Sequence, residues 1–287
     1  MHVTRKPASF HGGIVTALQF SPAGVVLNST GSASSVLKFR NFSIRCDKSD
    51  PKVSFQKPWN LNLPEGKKIA VITRNPYLRY QLIVVLAGLV PPVSGEILGE
   101  SVIGWPVGGE GGLDSKLRIS HAIDFLSTLY GDCLENSRVS LDEFWGLLSQ
   151  IEIDANLTIK ELTKSQKDFF FLGLSVLFSF DIYLVPKTKY LMSRAAKPLR
   201  ALLLKQLEGK TLLATSNNGR FQREFCTEGL VIGALGEILF SGGLAESIAW
   251  ADQNLEEINA SELEDEQFEL GLSLSNSDPH DGDNDDF

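Results

Sequence analysis

The sequence predicts an α/β protein organised around one strand–turn–helix unit. Residues 69–73 form a short apolar run with β-branched side chains, which is typical of a buried strand. An Arg-Asn-Pro turn at residues 74–76 interrupts the run. Residues 78–87 form a second apolar run, which predicts a buried helix with Gly88 as its C-terminal cap. Strand, tight turn and helix in this order form the geometry that phosphate-binding loops use.

Other apolar segments support the α/β interpretation. Residues 182–185, 211–215 and 230–232 are short and apolar, which predicts core strands, and residues 169–178 predict a buried helix. Ahead of the central unit, apolar and polar residues roughly alternate from 36 to 44, which predicts a half-buried strand.

The composition limits the classes of protein to which this chain can belong. The 287 residues are 43% apolar and 22% charged, which suffices for a sizeable core in one large domain or two smaller ones. The three cysteines are far apart and lack metal-binding spacing, and the four histidines form no cluster, so we predict no metal site. No signal peptide and no uncharged apolar run of about 18 residues is present, so we expect a protein that is not itself transmembrane.

The two ends of the chain differ from its centre. Residues 253–287 hold twelve Asp or Glu and no Lys or Arg, so residues 1–252 hold all 27 basic residues and 23 acidic ones. We therefore expect residues 253–287 to be an acidic, disordered tail, free in solution. The rest is not basic enough to indicate nucleic-acid binding. Residues 1–35, which end in a Gly/Ser-rich stretch, are expected to be an N-terminal extension and linker ahead of a domain at 36–252.

The central unit resembles the Walker A region of ABC-type ATPases, in particular the ATP-binding subunits that power capsular and O-antigen polysaccharide export. Residues 86–97 match the A-G and P-x-S-G-E-I pattern that follows Walker A, and Arg74 and Asn75 match within the loop. Residues 101–113 resemble the V-S-W-P-L-G-x-G-G-G-F segment of the polysaccharide exporters. The resemblance spans about residues 36–250. It implies a P-loop ABC-ATPase-like core, an antiparallel β layer and a small helical subdomain near 122–162.

The loop departs from the family at the positions that bind phosphate. Other residue types replace the family's three glycines and its Lys, Ser and Thr: Thr73, Pro76, Leu78, Arg79, Tyr80 and Gln81. Glycines allow left-handed backbone angles that point several N–H groups at one anion, and Pro76 has no N–H to give. Tyr80 would place its hydroxyl a ring's length beyond that of Ser, whereas Arg79 keeps the positive charge as a larger planar fork.

The other catalytic motifs depart in the same way. The vestigial positions are Lys164, Ser165 and Gln166 in the signature, Pro186 and Lys187 in Walker B, and Asn217 in the switch. Ser165 replaces the signature glycine. Pro186 stands where the family has the Asp that holds Mg²⁺, and Lys187 where it has the Glu that positions the attacking water.

These departures predict a catalytically degenerate ABC ATP-binding subunit with no ATPase activity and no cofactor. We expect an accessory or regulatory component of polysaccharide export that contacts a membrane permease or an intact export ATPase, in the cytoplasm or at the inner membrane. Two alternatives stay open. One is a subunit that still binds or hydrolyses ATP with Mg²⁺, and the other is a scaffold or regulator unrelated to export.

Overall fold

A computed structural model of the protein describes residues 35–255. Most of the predicted N-terminal extension and nearly all of the predicted acidic tail lie outside the described residues.

The described chain alternates strands and helices. Its strands are β1 (Ser35–Ser43), β2 (Trp59–Pro64), β3 (Lys68–Ile72), β4 (Ser94–Leu98), β5 (Ile182–Val185), β6 (Thr211–Ala214), β7 (Glu228–Ile232) and β8 (Ile238–Gly243). Its α-helices are α1 (Pro76–Leu86), α2 (Ile119–Leu129), α3 (Gly131–Glu135), α4 (Leu141–Gln150), α5 (Lys164–Leu177), α6 (Lys197–Gln206), α7 (Gly219–Phe225) and α8 (Leu244–Asn254). A 3-10 turn covers Ile159–Glu161.

A five-stranded sheet forms the centre, in the order β5-β6-β3-β7-β8. The first four strands are parallel, and β8 joins β7 antiparallel. Every residue of β5 and β6 is buried, as expected of parallel strands covered on both faces. The predicted core of mainly parallel strands is therefore confirmed.

A second sheet, in the order β2-β1-β4, is antiparallel and forms the predicted β layer. Its aromatic side chains, among them Phe39, Phe42 and Trp59, belong to the same apolar cluster as the buried face of α1. The Trp59 indole N–H donates to the Gly236 carbonyl at 2.7 Å, which ties this layer to the turn between β7 and β8. The antiparallel layer and the central unit thus share one core.

The helical subdomain occupies the predicted region and begins at Ile119 rather than near 122. Its helix α4 packs Phe144 against α5 at Gly173, where an added Cβ would lie 2.5 Å from the Phe144 ring. The Trp-Pro segment is anchored as well, because the Trp105 indole donates to Ser175 at 3.1 Å and its ring lies against Phe180.

Several helix and strand bounds differ from the sequence predictions. Helix α1 begins at Pro76 rather than at 78, because proline at the first helical position lacks only an N–H that would have no intrahelical partner. Helix α5 begins at Lys164 rather than at 169, because the Thr163 and Gln166 side chains form a capping box. Strand β8 was not predicted. Helix α8 continues to Asn254, past the expected start of the tail at 253.

Gly88 has the predicted role. It has a φ of 70°, and the N–H groups of Gly88 and Leu89 bond to the carbonyls of Val85 and Val84 at 3.0 and 2.9 Å. These two bonds form a Schellman motif, which requires a left-handed residue after the helix.

Within residues 35–255 the longest helix, α5, has 14 residues, and none of the helices there has the length and apolar character needed to cross a membrane.

Candidate functional site

The candidate site lies at the carboxyl edge of the parallel strands, where α/β proteins bind ligands. The segments that follow β3, β5 and β6 contain all the vestigial Walker and switch positions. The Thr188 and Ser216 hydroxyls are 2.9 Å apart, which holds the segment after β5 against the segment after β6. The structure therefore brings the vestigial Walker B and switch segments together.

Asn75 organises the loop after β3. Its side-chain oxygen accepts the Leu78 N–H at 3.0 Å and so caps α1. Its side-chain nitrogen donates to the carbonyls of Cys46 at 2.8 Å and Ala234 at 3.0 Å. One amide side chain thus joins the loop, the antiparallel layer and the end of β7.

The first turn of α1 contains Pro76 and Leu78, two of the three positions where the resemblance places the glycines of the family's phosphate loop. Pro76 is the first helical residue and has no N–H. The Leu78 N–H is taken by the Asn75 side chain, and the Arg79 N–H by the Asn75 carbonyl at 3.2 Å. Among residues 35–255, Asn41 and Glu152 are the non-glycine residues with positive φ, and neither lies in this loop. The backbone here is helical rather than wrapped around an anion.

The loop's side chains pack largely against protein. Thr73 is buried, and its hydroxyl accepts the Asn75 N–H at 3.2 Å. Leu78 is 1% exposed and Gln81 is 8% exposed, while Tyr80 packs against the apolar cluster under α1. Arg74 points toward α8, where its guanidinium lies 3.5 Å from the Asp252 carboxylate. Arg79 is partly exposed.

The segment after β5 carries Pro186 and Lys187, the pair predicted to be a vestigial Walker B. Pro186 is partly buried and Lys187 is exposed, directly after the buried strand. The segments 73–75, 186–188 and 215–217 contain no Asp or Glu, and residues 35–255 contain no cluster of His, Cys, Asp and Glu suited to a metal. The carboxylate on this strand segment, Asp181, precedes β5 at the opposite edge and pairs with Lys210 at 3.0 Å.

The residues predicted to be a vestigial signature, Lys164, Ser165 and Gln166, form the start of α5. Thr163 and Gln166 cap the helix, and Gln166 also donates to the Ile151 carbonyl at 3.0 Å. The Ser165 carbonyl accepts the Tyr190 hydroxyl at 3.2 Å, and burial raises the pKa of Tyr190, so the phenol remains a donor. These contacts hold the signature segment against the loop after β5 within one molecule.

The vestigial switch position, Asn217, is exposed, whereas its neighbour Asn218 has a structural role. The Asn218 side chain accepts the N–H groups of Arg220 and Phe221 at 3.0 and 3.1 Å and caps α7. Three features are absent from the sequence predictions: the cap of α7, the contacts of Asn75 to Cys46 and Ala234, and the Arg74–Asp252 pair. For Asn218 a signal is present, since Asn ahead of apolar residues at helical spacing, here Phe221 and Phe225, is a common N-cap.

Solved structures match this arrangement. An ATP-binding subunit of an ABC transporter superposes with a TM-score of 0.58 and 16% identity, covering 82% of this chain and 99% of the other. A nucleotide-free ATP-binding cassette from an ABC transporter superposes with a TM-score of 0.52 and 12% identity, covering 79% of this chain and 99% of the other. The chain has the ABC ATPase fold. The fold class predicted from the sequence is therefore confirmed.

Two of the relatives found by sequence are ATP-binding proteins of polysaccharide transport. The ABC-fold chain is 29% identical over 195 residues to the polysialic acid transport ATP-binding protein KpsT of Escherichia coli, covering 67% of this chain and 88% of that protein. It is 22% identical over 174 residues to the capsule polysaccharide export ATP-binding protein CtrD of Neisseria meningitidis serogroup B, covering 60% and 79%. It is 23% identical over 177 residues to the ATP-binding protein BexA of Haemophilus influenzae, covering 60% and 78%. No protein-family model matches the chain. The resemblance to ATP-binding subunits of capsule polysaccharide exporters is confirmed.

Proposed function

We propose that the protein is a catalytically degenerate homologue of the ATP-binding subunits of polysaccharide exporters, and that it acts as an accessory or regulatory component of export. The similarity to KpsT and CtrD supports the connection with export. The residues at the carboxyl edge of the sheet support the loss of catalysis.

The observation that carries the proposal is the first turn of α1. Phosphoryl transfer relies on positioning the phosphates and neutralising their charge. Here Pro76 offers no N–H, and the N–H groups of Leu78 and Arg79 bond to Asn75. An anion at this position would have to displace these hydrogen bonds to Asn75, whose side-chain nitrogen also bonds to the Cys46 and Ala234 carbonyls and so holds the loop to the rest of the fold.

The metal position supports the same conclusion. Mg²⁺ prefers carboxylate oxygens, yet Pro186 and Lys187 follow β5 where an Asp and a Glu would be needed. A lysine at the water-positioning site has the opposite charge to the Glu that the family has there. These residues do not fit Mg²⁺-ATP, so we propose that the protein uses neither ATP nor Mg²⁺ as a cofactor.

The same departures from the family bear on whether this chain pairs with an intact ABC subunit. Working ABC dimers bind ATP between the Walker A of one subunit and the signature of the other. Because this chain departs from the family in Walker A, Walker B and the signature at Ser165, pairing with an intact subunit would impair both composite sites. We therefore propose that the protein acts as a binding module that contacts a membrane permease or an intact export ATPase, in the cytoplasm or at the inner membrane.

The experiment mixes the purified protein with an intact homologue from the same cell, with and without ATP, and measures mass by light scattering. Binding that is independent of nucleotide, or no binding to this homologue, agrees with the proposal. A stable heterodimer that forms only with ATP would contradict it, because such a dimer requires an ATP-binding interface.

Two other functions make different predictions. Arg79 retains a positive charge at the lysine position of the phosphate loop, which favours a subunit that still binds ATP; that alternative requires measurable binding and turnover. A scaffold unrelated to export would co-purify with no export permease or ATPase. Mass spectrometry of the proteins that co-purify with the full chain separates this alternative from the proposal.

A further inference from the structure

The segments at the carboxyl edge of the parallel sheet are rich in basic residues. Segments 73–79, 186–190 and 215–223 contain six basic residues and no Asp or Glu. We call these six residues the basic edge: Arg74, Arg79, Lys187, Lys189, Arg220 and Arg223. Because the whole described chain holds nearly equal numbers of acidic and basic residues, this grouping concentrates positive charge in one place.

The fold holds these segments close together. They follow the neighbouring parallel strands β3, β5 and β6, and the Thr188–Ser216 contact of 2.9 Å joins two of them. Arg220 lies in the first turn of α7, and the Arg223 guanidinium folds back over Gly219, where an added Cβ would lie 3.3 Å from it. Lys187, Lys189, Arg220 and Arg223 are exposed.

The chain leaves the described structure at this same edge. Helix α8 begins at the amino end of β7, where the Leu244 N–H bonds to the Thr227 carbonyl at 3.1 Å. It then follows β7, with the Ser247 hydroxyl 3.1 Å from the Gly229 carbonyl. Near its end, Asp252 lies 3.5 Å from Arg74 on the loop after β3. Residues from 256 onward therefore start beside the basic edge.

Those residues carry the complementary charge. Residues 256–287 contain twelve Asp or Glu and no Lys or Arg, and seven of the acids fall within 256–269. Strands lie about 4.8 Å apart, so β5 is roughly 15 Å from β7 across the sheet. A 14-residue segment reaches at most about 45–50 Å. The first acidic block is therefore long enough to cross the edge, and its attachment at α8 gives it a high effective concentration there.

We propose that the acidic segment 256–269 binds the basic edge of its own chain and covers the position where ABC ATPases bind nucleotide phosphates. The Arg74–Asp252 pair is the first of these charge contacts, and the carboxylates of the segment extend it toward Lys187 and Lys189. This proposal and the expectation of a tail free in solution make opposite predictions.

The first test uses the full chain at low salt and a carbodiimide, which couples a carboxylate to an amine in direct contact. We expect cross-links from Glu residues within 256–269 to Lys187 and Lys189, and none to Lys205 at the opposite edge or to Lys116 in the loop just before the helical subdomain. An equal mixture of ¹⁵N-labelled and unlabelled protein identifies intramolecular pairs by mass spectrometry. No cross-links, equal cross-linking to Lys205 and Lys116, or cross-links only between labelled and unlabelled chains would overturn the proposal.

The second test measures binding of inorganic tripolyphosphate to the native chain and to two variants. One variant replaces the seven acids of 256–269 with Gln or Asn, and the matched control replaces the five aspartates of 278–286 with Asn. We expect the first variant to bind about tenfold tighter than the native chain, because the tethered competitor is gone, and the control to change much less. Equal tripolyphosphate binding by the native chain and both variants would show that the acidic segment does not cover the basic edge. An equal increase in affinity in both variants would show an effect of net charge alone. Either result overturns the proposal.

Discussion

Two adjacent regions of the molecule resemble the ABC ATPases to very different degrees. Residues 86–97, which follow α1, match the family pattern closely, whereas residues 73–81, which precede and begin α1, keep only Arg74 and Asn75. Both regions contain glycine positions in the family. This chain keeps the glycines of the first region and has none in the second.

The retained glycines serve the backbone of the fold itself. Gly88 takes a φ of 70° in the Schellman motif that ends α1. Gly95 takes a φ of 74° beside the irregularity in β1, where an added Cβ would lie 2.2 Å from the Asn41 carbonyl oxygen. The glycine positions in the loop have no such role here, because Pro76 and Leu78 belong to the first turn of α1. The comparison supports the proposal that this chain keeps the residues that the fold needs and departs from the family at the positions that would contact a bound nucleotide.

The largest effect should come from Gly95→Ala. The new Cβ would clash with backbone oxygens and force a left-handed conformation, so we expect the free energy of unfolding to fall by about 3 kcal/mol or more. Gly108→Ala is the matched control, because Gly108 has a φ of 79° and nothing within 4 Å of an added Cβ; we expect a loss of about 1 kcal/mol. Urea denaturation measures both. Equal losses would mean that the close approach at Gly95 contributes nothing.

Asn75→Ala should have the next largest effect. It removes the cap of α1 and leaves the carbonyls of Cys46 and Ala234 without the Asn75 donor, so we expect a loss of about 2–3 kcal/mol. The control is Asn218→Ala, which removes the comparable cap of α7 and should cost about 1 kcal/mol. Thermal or urea unfolding gives both values. If Asn75→Ala costs no more than the control, Asn75 does not join the loop to the antiparallel layer.

The smallest expected effect concerns the Cys46 thiol. Burial, and then Glu237 and Asp47, raise its pKa from an ordinary value of about 9 to about 11. The folded state therefore favours the protonated thiol. The contribution of Cys46 to the free energy of unfolding is fully present below pH 9 and is lost as the pH rises toward 11. At pH 8 we expect slow alkylation of native Cys46 by iodoacetamide.

Asn75→Ala should speed the alkylation of Cys46, since it releases the contact between Asn75 and the Cys46 carbonyl. Cys226, whose pKa burial raises to about 12, should not respond. Peptide mapping by mass spectrometry measures both thiols. A Cys46 rate unaffected by the substitution, or an equal rise at Cys226, would show that the loop does not protect this thiol.

The sequence predicted the buried parts of the fold well. Strand β5 has the predicted bounds, because four consecutive buried apolar residues give an unambiguous pattern. The start of α5 differs from the prediction, because the capping box of Thr163 and Gln166 begins the helix at Lys164, five residues before the apolar run from 169 that predicts it. Strand β8 was missed because most of its residues are exposed at the edge of the sheet and give no clear apolar pattern.

The identities of the candidate site residues stay a prediction from the sequence, whereas their contacts are seen only in the structure. The absence of acids after β5 can be read directly from Pro186 and Lys187. Asn75 bonds to Cys46 and Ala234, which are 29 and 159 positions away along the chain. These contacts could not be predicted, since nothing local in the sequence specifies them. The same holds for Arg74 and Asp252.

The most direct test of the central claim measures ATP turnover and binding by the full chain. We predict no Mg²⁺-dependent ATPase activity and no binding of ATP in the submillimolar range by calorimetry, as follows from the proposed loss of the phosphate loop at α1 and of the metal ligands after β5. An intact homologue measured under the same conditions serves as the positive control. Turnover by the native chain that disappears in the Arg79→Ala variant would contradict the account.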